Sequence, residues 1–528
     1  MKGDFHVRFC ERLKLECFGL LDRYKIPAQQ QALFVVRHGN LVSHLTVKDM
    51  TFKVTPPIII LLRKIVLYFM LFLPALAQGQ INRDAYEAIK DTFVSEFNHK
   101  DYKAIYRLFD TSFSNKISQP QLVNFLKGNQ NSGKIVASSF LAEDKDKISY
   151  LLELELRDMI IDLQLTYDNK ISSFGLRNSP PVFLSEPPVV KSNNSMKSAL
   201  DKAVDSAAFE YFKYSKANSL VIGIIKSGKK HIYFYGETEK GNNKLPSTST
   251  LYEIGSITKT FTTTLLAQAV LDKKVSLTDD IRKYLYGNYD NLSYNGIPIT
   301  LQDLANHTSG LPAMPEDIGE QPDYNPVSPE AHYDSTMFYN ALKKVTLDTI
   351  PGYKFLYSNW GISLLGHILE KVYRHSQAYL VKHFITEPLE MNNTMYIINE
   401  DGYDGAYPHS ENGKRLTITN QGYFSPAGGL CSTVKDMLNY LDAQLKETKA
   451  FIKLTHVPTA NNTGLSWGVR KDSVTRHLEH NGSEQGSTAN ISAFPELNSG
   501  CVILVNNKVN LGKLILNIQK IIKNTSYK

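Results

Sequence analysis

Cysteine and tryptophan are scarce in this chain, with four and two residues out of 528. Cys10 and Cys17 lie near the N-terminus, so only Cys431 and Cys501 occur in the rest of the chain. Two cysteines do not form a disulfide framework, and a chain of this length does not need one to fold. C-x-x-C and H-E-x-x-H patterns are also lacking. We therefore expect two buried thiols, no metal site and no cofactor.

An excess of positive charge is confined to one end. The net charge is +7, but residues 1–79 hold eleven Lys and Arg against five Asp and Glu, whereas the remainder holds 48 against 47. A nucleic-acid partner is therefore not expected, because the basic excess lies outside the predicted folded units. The length predicts two or three such units, and the hydrophobic content of 42% is ordinary for a globular protein.

Long apolar runs are absent as well. Arg63 and Lys64 precede a short apolar run over 65–73, and an A-x-A signal ends at Ala77. This pattern is typical of a cleaved export signal. A membrane anchor over 58–73 is the competing interpretation, but the two basic residues interrupt it, and a span needs about 20 apolar residues.

The residues before this signal are difficult to place, since an export signal normally starts a chain. Met50 lies eight residues before the apolar stretch and would be a natural start. We interpret 1–49 as a doubtful leader, either untranslated or without a folded role, and 50–77 as the signal peptide. The protein would then be periplasmic or secreted, with the export signal as its only membrane contact.

Residues 80–178 carry a pattern of helices followed by strands. Helical spacing extends from Asp84 to Phe109, and a second helix is predicted near Gln119–Leu126. Strand-like stretches follow, at Lys134–Phe140, Lys147–Glu155, Met159–Tyr167 and Ile171–Leu176. This order resembles the cone-shaped α+β fold of nuclear-transport-factor-2-like domains, which implies an accessory or binding module.

A polar, proline-rich linker is predicted over 179–197, and a second domain over 198–528. The second domain begins with a helix at Ser198–Tyr214 and a hairpin whose tight turn is Lys226–Lys229. The region 277–445 is predicted to be mostly helical, and strands return near the C-terminus. We therefore expect a two-domain α+β protein in which distant parts of the chain build one sheet.

Three short patterns point to chemistry. They are S-x-x-K at Ser256–Lys259, Y-x-N at Tyr357–Asn359, and His480-Asn481-Gly482. On a helix, positions i and i+3 share a face, so a lysine there can take the serine proton when its surroundings favour the neutral amine. Backbone N–H groups at a helix start can stabilise an oxyanion.

Each pattern is weak by itself. S-x-x-K also occurs at Ser227–Lys230 and Ser432–Lys435. The copy at Ser256 is favoured because it begins a helix and because the other two patterns follow it in order.

Together these motifs resemble the serine β-lactamase and penicillin-binding-protein superfamily, specifically its class C β-lactamase, D-alanyl carboxypeptidase and esterase branch. The resemblance covers about 200–528. It includes a His-Thr-Ser-Gly-Leu-Pro loop at 307–312 and an Ala-Gly-Gly-Leu block at 427–430. It implies an antiparallel sheet flanked by helices, plus an all-helical subdomain.

The resemblance also implies roles. Ser256 would be the nucleophile and Lys259 its base, and Tyr357 would protonate the leaving group. Asn359, whose amide could also hold Lys259, and the segment from His480 through Asn481 and Gly482 to Ser483 would bind substrate. The N–H groups of Ser256 and Ser483 would form the oxyanion hole. His307 is interpreted as a residue that organises its loop.

The third motif departs from the Lys-Thr-Gly or Lys-Ser-Gly of efficient β-lactamases. A neutral His480 attracts a substrate carboxylate less than a lysine does. We therefore expect a hydrolase of esters, amides or D-amino-acid peptides, with a small molecule, a peptide or peptidoglycan fragments as substrate. A class C-type β-lactamase and a catalytically idle penicillin-binding sensor are the alternatives, and His480 could also be purely structural.

Overall fold

The computed structural model describes residues 44–47, 50–53, 82–180, 189–213, 215, 217–321, 323–397, 399–401, 403–460 and 462–524. The chain divides into two units, Met1–Asn82 and Arg83–Lys528. In the first unit, strands β1 (His44–Val47) and β2 (Met50–Lys53) pair antiparallel. The rest of the predicted leader and signal peptide lies outside the described residues, as do residues 181–188 of the predicted linker.

Among the described residues, no helix combines the length and apolar character needed to cross a bilayer.

The second unit begins with helices and continues with an antiparallel meander of four strands in the order β3-β4-β5-β6. The elements are α1 (Arg83–Asn98), α2 (Tyr102–Tyr106), α3 (Thr111–Ser114), α4 (Gln119–Gln130), β3 (Ile135–Asp144), β4 (Lys147–Leu154), β5 (Asp158–Leu165) and β6 (Ile171–Asn178). Phe93 and Phe174 pack with their ring centroids 5.7 Å apart and join α1 to β6. The order of helices before strands is the predicted one.

The helical spacing predicted over 84–109 does not form one continuous helix. Lys100 adopts a left-handed backbone with φ of 61°. Asp101 then caps a new helix by accepting a hydrogen bond from the N–H of Ala104. Apolar periodicity alone did not reveal this break, because Tyr102 and Ile105 are buried like the apolar residues before it.

The remaining strands form one large sheet and two small ones. They are β7 (Ser219–Lys226), β8 (Lys229–Gly236), β9 (Tyr252–Glu253), β10 (Ser293–Tyr294), β11 (Ile297–Pro298), β12 (Met395–Tyr396), β13 (Leu430–Ser432), β14 (Gly468–Lys471), β15 (Arg476–Ser483), β16 (Thr488–Phe494) and β17 (Ser499–Val505). The large sheet is antiparallel, in the order β14-β15-β16-β17-β7-β8. Ile222 of β7 pairs with Ile503 of β17, so distant parts of the chain share this sheet, as predicted.

Helices cover both faces of the large sheet. The helices in this part of the chain are α5 (Ala199–Lys213), α6 (Thr258–Leu271), α7 (Leu301–Ala305), α8 (Ser335–Lys344), α9 (Asn359–Tyr373), α10 (Gln377–Val381), α11 (Ser425–Gly428), α12 (Val434–Lys446), α13 (Ala450–Thr455) and α14 (Gly512–Lys523). Along β7, Val221 and Ile225 face the core containing α6, α9 and α12. Ile222 and Ile224 face a second core containing α5 and α14. The strand is therefore apolar on both sides, since successive side chains alternate between the two faces.

The predicted helical region 277–445 is less continuous than expected. Long loops join its helices, and the described residues of 397–421 contain neither helix nor strand. These loops lie beside the turn that precedes α6, because Thr419 donates its backbone N–H to Glu253 in β9. The sheet edge, α6, α9 and these loops together surround Ser256.

Candidate active site

Ser256 lies in a 3-10 turn, Gly255–Ile257, that leads directly into α6. Gly255 has a φ of 49°, and a Cβ there would come within 2.7 Å of the backbone N of Ser483. Glycine is therefore required, and the turn can press closely against β15. Ser256 itself is partly exposed, so the predicted nucleophile can meet a substrate.

Lys259 is fully buried in the first turn of α6. Its Nζ donates hydrogen bonds to Ser256 Oγ at 2.9 Å and to the carbonyl of Ala427 at 2.7 Å. Ala427 belongs to the Ala-Gly-Gly-Leu block noted in the sequence. Its carbonyl fixes the direction of the amine, so that Lys259 points at the serine hydroxyl.

Tyr357, which lies just before α9, also contacts Ser256. Its hydroxyl donates to Ser256 Oγ at 2.7 Å, and Lys259 Nζ lies 4.9 Å from the centre of its ring. Ser358, the next residue, caps α9 by accepting from the N–H of Gly361. The start of α9 therefore fixes Tyr357 beside the serine.

His307 contacts both Tyr357 and the residue that follows it. Its ring lies 4.5 Å from that of Tyr357, and its Nδ1 accepts a hydrogen bond from the backbone N–H of Ser358. Burial, with the charge of Lys259 as a further cause, lowers the pKa of His307 well below its usual value. A neutral imidazole that positions Tyr357 agrees with the predicted loop-organising role.

Asn359 begins α9, but its side chain has a different partner from the one expected. Its Nδ2 donates to Met314 Sδ at 3.6 Å, while the hydrogen bonds found for Lys259 Nζ go to Ser256 and Ala427. The expectation that Asn359 holds Lys259 is therefore not met in this structure. The amide remains beside Tyr357, on the first turn of the helix.

The third motif lies inside β15, since the strand extends past His480 to Ser483. His480 Nδ1 donates to the carbonyl of Asn481 at 2.8 Å. Burial of the imidazole and the charge of Lys259 lower its pKa to about 4. His480 is thus neutral at pH 7, as expected. Asn481 is exposed, and its Oδ1 accepts from Asn490 Nδ2 at 2.9 Å.

Gly482 explains why β15 can come so close to the serine turn. A Cβ at this position would lie 2.0 Å from the carbonyl oxygen of Ile254, two residues before Ser256. The next residue, Ser483, therefore places its backbone N against Gly255. Glycine in the third motif has a steric cause.

The sequence motifs did not reveal a group of glutamates with raised pKa values near the turn that carries Ser256. Glu484 follows the third motif, and a Cβ on Gly255 or Gly428 would come within 3.1 or 3.0 Å of its Oε1. Burial and the nearby Glu253 and Glu330 raise its pKa well above the usual value. Burial also raises the pKa of Glu253, and it raises that of Glu330 to about 7. No local pattern distinguishes these residues from exposed glutamates, except that Glu484 adjoins the motif.

The other two S-x-x-K copies do not form such a site. Ser227 lies in the β7–β8 turn, where Lys230 Nζ donates to Asn439. Ser432 is buried in β13 and shares a hydrogen bond with Thr394, while Lys435 is exposed on α12. The predicted choice of Ser256 over these two copies therefore agrees with the geometry.

Comparison with known proteins places this geometry in a family context. The Beta-lactamase family model matches residues 205–522. D-alanyl-D-alanine-carboxypeptidase/endopeptidase AmpH of Escherichia coli K12 is 30% identical over 254 residues, which are 46% of this chain and 61% of that protein. A Beta-lactamase of Providencia stuartii is 29% identical over 47% of this chain and 60% of its own length. The chain thus spans about three fifths of the length of these relatives.

A solved structure supports the same assignment. The Beta-lactamase/D-alanine Carboxypeptidase of Yersinia pestis is 25% identical and superposes with a TM-score of 0.53 over 61% of this chain and 97% of its own. The fold class and the superfamily predicted from the motifs are therefore confirmed. Since the family model covers more than half of its length, the chain belongs to the beta-lactamase family, a family of serine hydrolases.

Proposed function

We propose that this protein hydrolyses an ester, an amide or a D-amino-acid peptide bond through an acyl-enzyme on Ser256, in the manner of a D-alanyl carboxypeptidase or an esterase. One observation carries the proposal. Ser256 Oγ accepts hydrogen bonds from both Lys259 Nζ and the Tyr357 hydroxyl, at 2.9 and 2.7 Å. Two groups able to move protons therefore contact one nucleophile.

In the acylation step, Lys259 Nζ acts as the base and takes the hydroxyl proton as Ser256 Oγ bonds to the substrate carbonyl carbon. The carbonyl electron pair moves onto oxygen, where the N–H groups of Ser256 and Ser483 stabilise it. When the intermediate collapses, the bond to the leaving group breaks, and the leaving group takes the proton of the Tyr357 hydroxyl. Lys259 returns a proton to Tyr357.

In the deacylation step, Lys259 takes a proton from water through the Tyr357 hydroxyl, and the water oxygen bonds to the acyl carbon. The C–O bond to Ser256 breaks, and the serine regains its proton. His480, neutral beside this site, offers a substrate a ring nitrogen and not a positive charge. This favours substrates that do not depend on a cation at this position.

The substrate can be tested with three chromogenic or chromatographic assays, using an acetyl ester of nitrophenol, an acylated peptide ending in D-Ala-D-Ala, and a chromogenic cephalosporin. We expect turnover of the ester or the peptide with a higher kcat/KM than the cephalosporin. Ser256→Ala is expected to reduce kcat/KM by about 10³-fold or more. Faster turnover of the cephalosporin would favour a β-lactamase, and no turnover of any substrate would favour the idle sensor.

Export is part of the proposal, because the targeting pattern predicted at 50–77 would deliver the enzyme to a periplasmic or secreted location. N-terminal sequencing of the protein purified from its native source is expected to begin at Gln78. A sequence that begins before Met50 would contradict both the signal peptide and the interpretation of 1–49.

A further inference from the structure

A cleft is present whose lining residues are not those that contact Ser256. It has a volume of about 680 Å³ and opens between the loop at 284–289, helix α8, the C-terminal half of α9 and Tyr423. Ligand-binding pockets typically have volumes of about 300–1,000 Å³. The cleft is therefore large enough for a small organic ligand.

Five tyrosines form much of its wall: Tyr284, Tyr286, Tyr289, Tyr339 and Tyr423. Tyr286 is 83% exposed. On the opposite side, the imidazole of His367 stacks on Tyr423 at 3.7 Å, and Tyr339 meets Tyr423 edge to face at 6.1 Å. The cleft thus offers flat apolar faces whose edges carry hydroxyl groups.

The rim of the cleft is positively charged. Lys343, Lys371 and Arg374 line it together with one carboxylate, Glu370. Although burial opposes it, hydrogen bonds from His367 and the backbone N–H of Gln377 lower the pKa of Glu370, so this carboxylate already has its partners.

The three cations have no comparable partners. Lys371 Nζ lies 3.5 Å from the centre of the Tyr286 ring and donates to the carbonyl of Tyr284. Within the described part of the chain, neither Lys343 nor Arg374 forms an ion pair. Because a cleft with charge of one sign concentrates the opposite charge, an anionic ligand is favoured here.

We propose that this cleft binds a saccharide that carries a carboxylate. Lys371 and Arg374 would donate charge-assisted hydrogen bonds to the carboxylate, and the sugar ring would pack against Tyr286 and Tyr423. Tyrosine hydroxyls and the polar rim would bond to the sugar hydroxyls. An inorganic anion would make no use of the aromatic walls, and a neutral sugar would make no use of the cations.

The cleft is joined to the catalytic region through one helix. Helix α9 begins at Asn359 and carries His367, which is about 12 Å further along the helix axis at 1.5 Å per residue. His367 Nε2 lies 2.8 Å from the carbonyl oxygen of Tyr423. A bound saccharide would thus lie on the same helix as the active site without contacting Ser256.

The test compares two sugars that differ in one lactyl ether group, which carries the carboxylate. Binding of N-acetylmuramic acid and N-acetylglucosamine to the full chain is measured by saturation-transfer NMR and titration calorimetry. N-acetylmuramic acid is expected to bind at least about 10-fold more tightly, since a charge-assisted hydrogen bond contributes about 1.5–3 kcal/mol. Its affinity should also fall as the salt concentration rises. Equal affinities for the two sugars, or no binding of either, would overturn the proposal.

Variants locate the binding. K371A/R374A is expected to weaken N-acetylmuramic acid at least about 10-fold, whereas K382A, which removes a 70% exposed lysine outside the cleft, should not. Y286A removes an exposed ring and is therefore expected to fold. It tests the cleft even if the double variant does not fold. It is also expected to weaken binding. Ser256→Ala is expected to bind normally. Unchanged affinity in both cleft variants would place the sugar elsewhere and refute the proposed site.

Discussion

The hydroxyl of Ser256 owes its surroundings to Lys259, three residues further along the chain, and to groups that are distant in sequence. Lys259 is held by a carbonyl from α11, and Tyr357 is fixed by the start of α9 and the ring of His307. Behind them, burial raises the pKa values of Glu253 and Glu484, and the neighbouring Glu253 and Glu330 raise that of Glu484 further. The site is thus built from a few fixed hydrogen bonds beside carboxyl groups whose pKa values are raised.

Glu330 gives this description a measurable consequence. Its Oε2 is buried without a hydrogen-bond partner, and burial raises its pKa to about 7. In the unfolded chain the carboxyl titrates near 4.5. Between these values only the folded protein holds the proton, so the free energy of unfolding falls as pH rises from 4.5 to 7 and then levels off.

Glu330→Gln mimics the protonated carboxyl and should remove this loss. The free energy of unfolding of the variant, minus that of the native chain, is expected to rise by about 3 kcal/mol from pH 5 to pH 8. Urea unfolding at each pH measures this difference. Glu320→Gln, at an exposed position nearby, is the matched control and should show no such gain. A difference between Glu330→Gln and the native chain that is constant with pH would show that Glu330 is ionised throughout.

At the scale of elements, the site depends on the close approach of β15 to the 3-10 turn before α6. Gly482 and Gly255 have no side chain where the two segments meet, and this allows the backbone of Ser483 to lie against Gly255. Strand and turn thereby form one rigid wall of the site.

Gly482→Ala should separate these two elements. The new Cβ would overlap the carbonyl of Ile254 at 2.0 Å, and only backbone movement can relieve this contact. We expect a loss of about 1–3 kcal/mol in stability and a larger proportional loss of kcat, measured by thermal unfolding and ester hydrolysis. Gly319→Ala, where a Cβ meets nothing within 4 Å, should behave like the native chain. Full activity in Gly482→Ala would mean that this contact is not needed.

Sequence patterns predicted the parts of this arrangement that depend on local spacing. Ser256 and Lys259 are three residues apart at a helix start, and the sheet strands follow from apolar runs bounded by turns. The buried state of Glu253 could not be predicted, because it depends on Ser487, 234 residues away. The break at Lys100 was also hidden, since the apolar spacing continues across it.

At the scale of the molecule, the helices and strands at 83–178 contact a loop that reaches the site. Asn412 Nδ2 donates to the carbonyl of Leu154 at 3.1 Å and to Asp158 Oδ1 at 2.8 Å. Further along the same loop, Gln421 donates to Glu484. The loop at 412–421 thus connects the predicted accessory module to Glu484.

Asn412→Ala should loosen this attachment. The loss of two hydrogen bonds is expected to cost about 1–3 kcal/mol and to let residues 83–178 unfold at a lower temperature than the remainder, as a separate calorimetric transition. Asn399→Ala, an exposed position whose side chain bonds to nearby Asp401, is the control. If both variants unfold like the native chain, the contact does not contribute to the attachment.

The central claim concerns one covalent bond, and intact-protein mass spectrometry tests it most directly. After reaction with a fluorophosphonate, the account predicts one adduct, mapped to Ser256, that is absent in Ser256→Ala and retained in Ser227→Ala, the variant of a competing S-x-x-K copy. No adduct, an adduct on another residue, or labelling that survives in Ser256→Ala would contradict it.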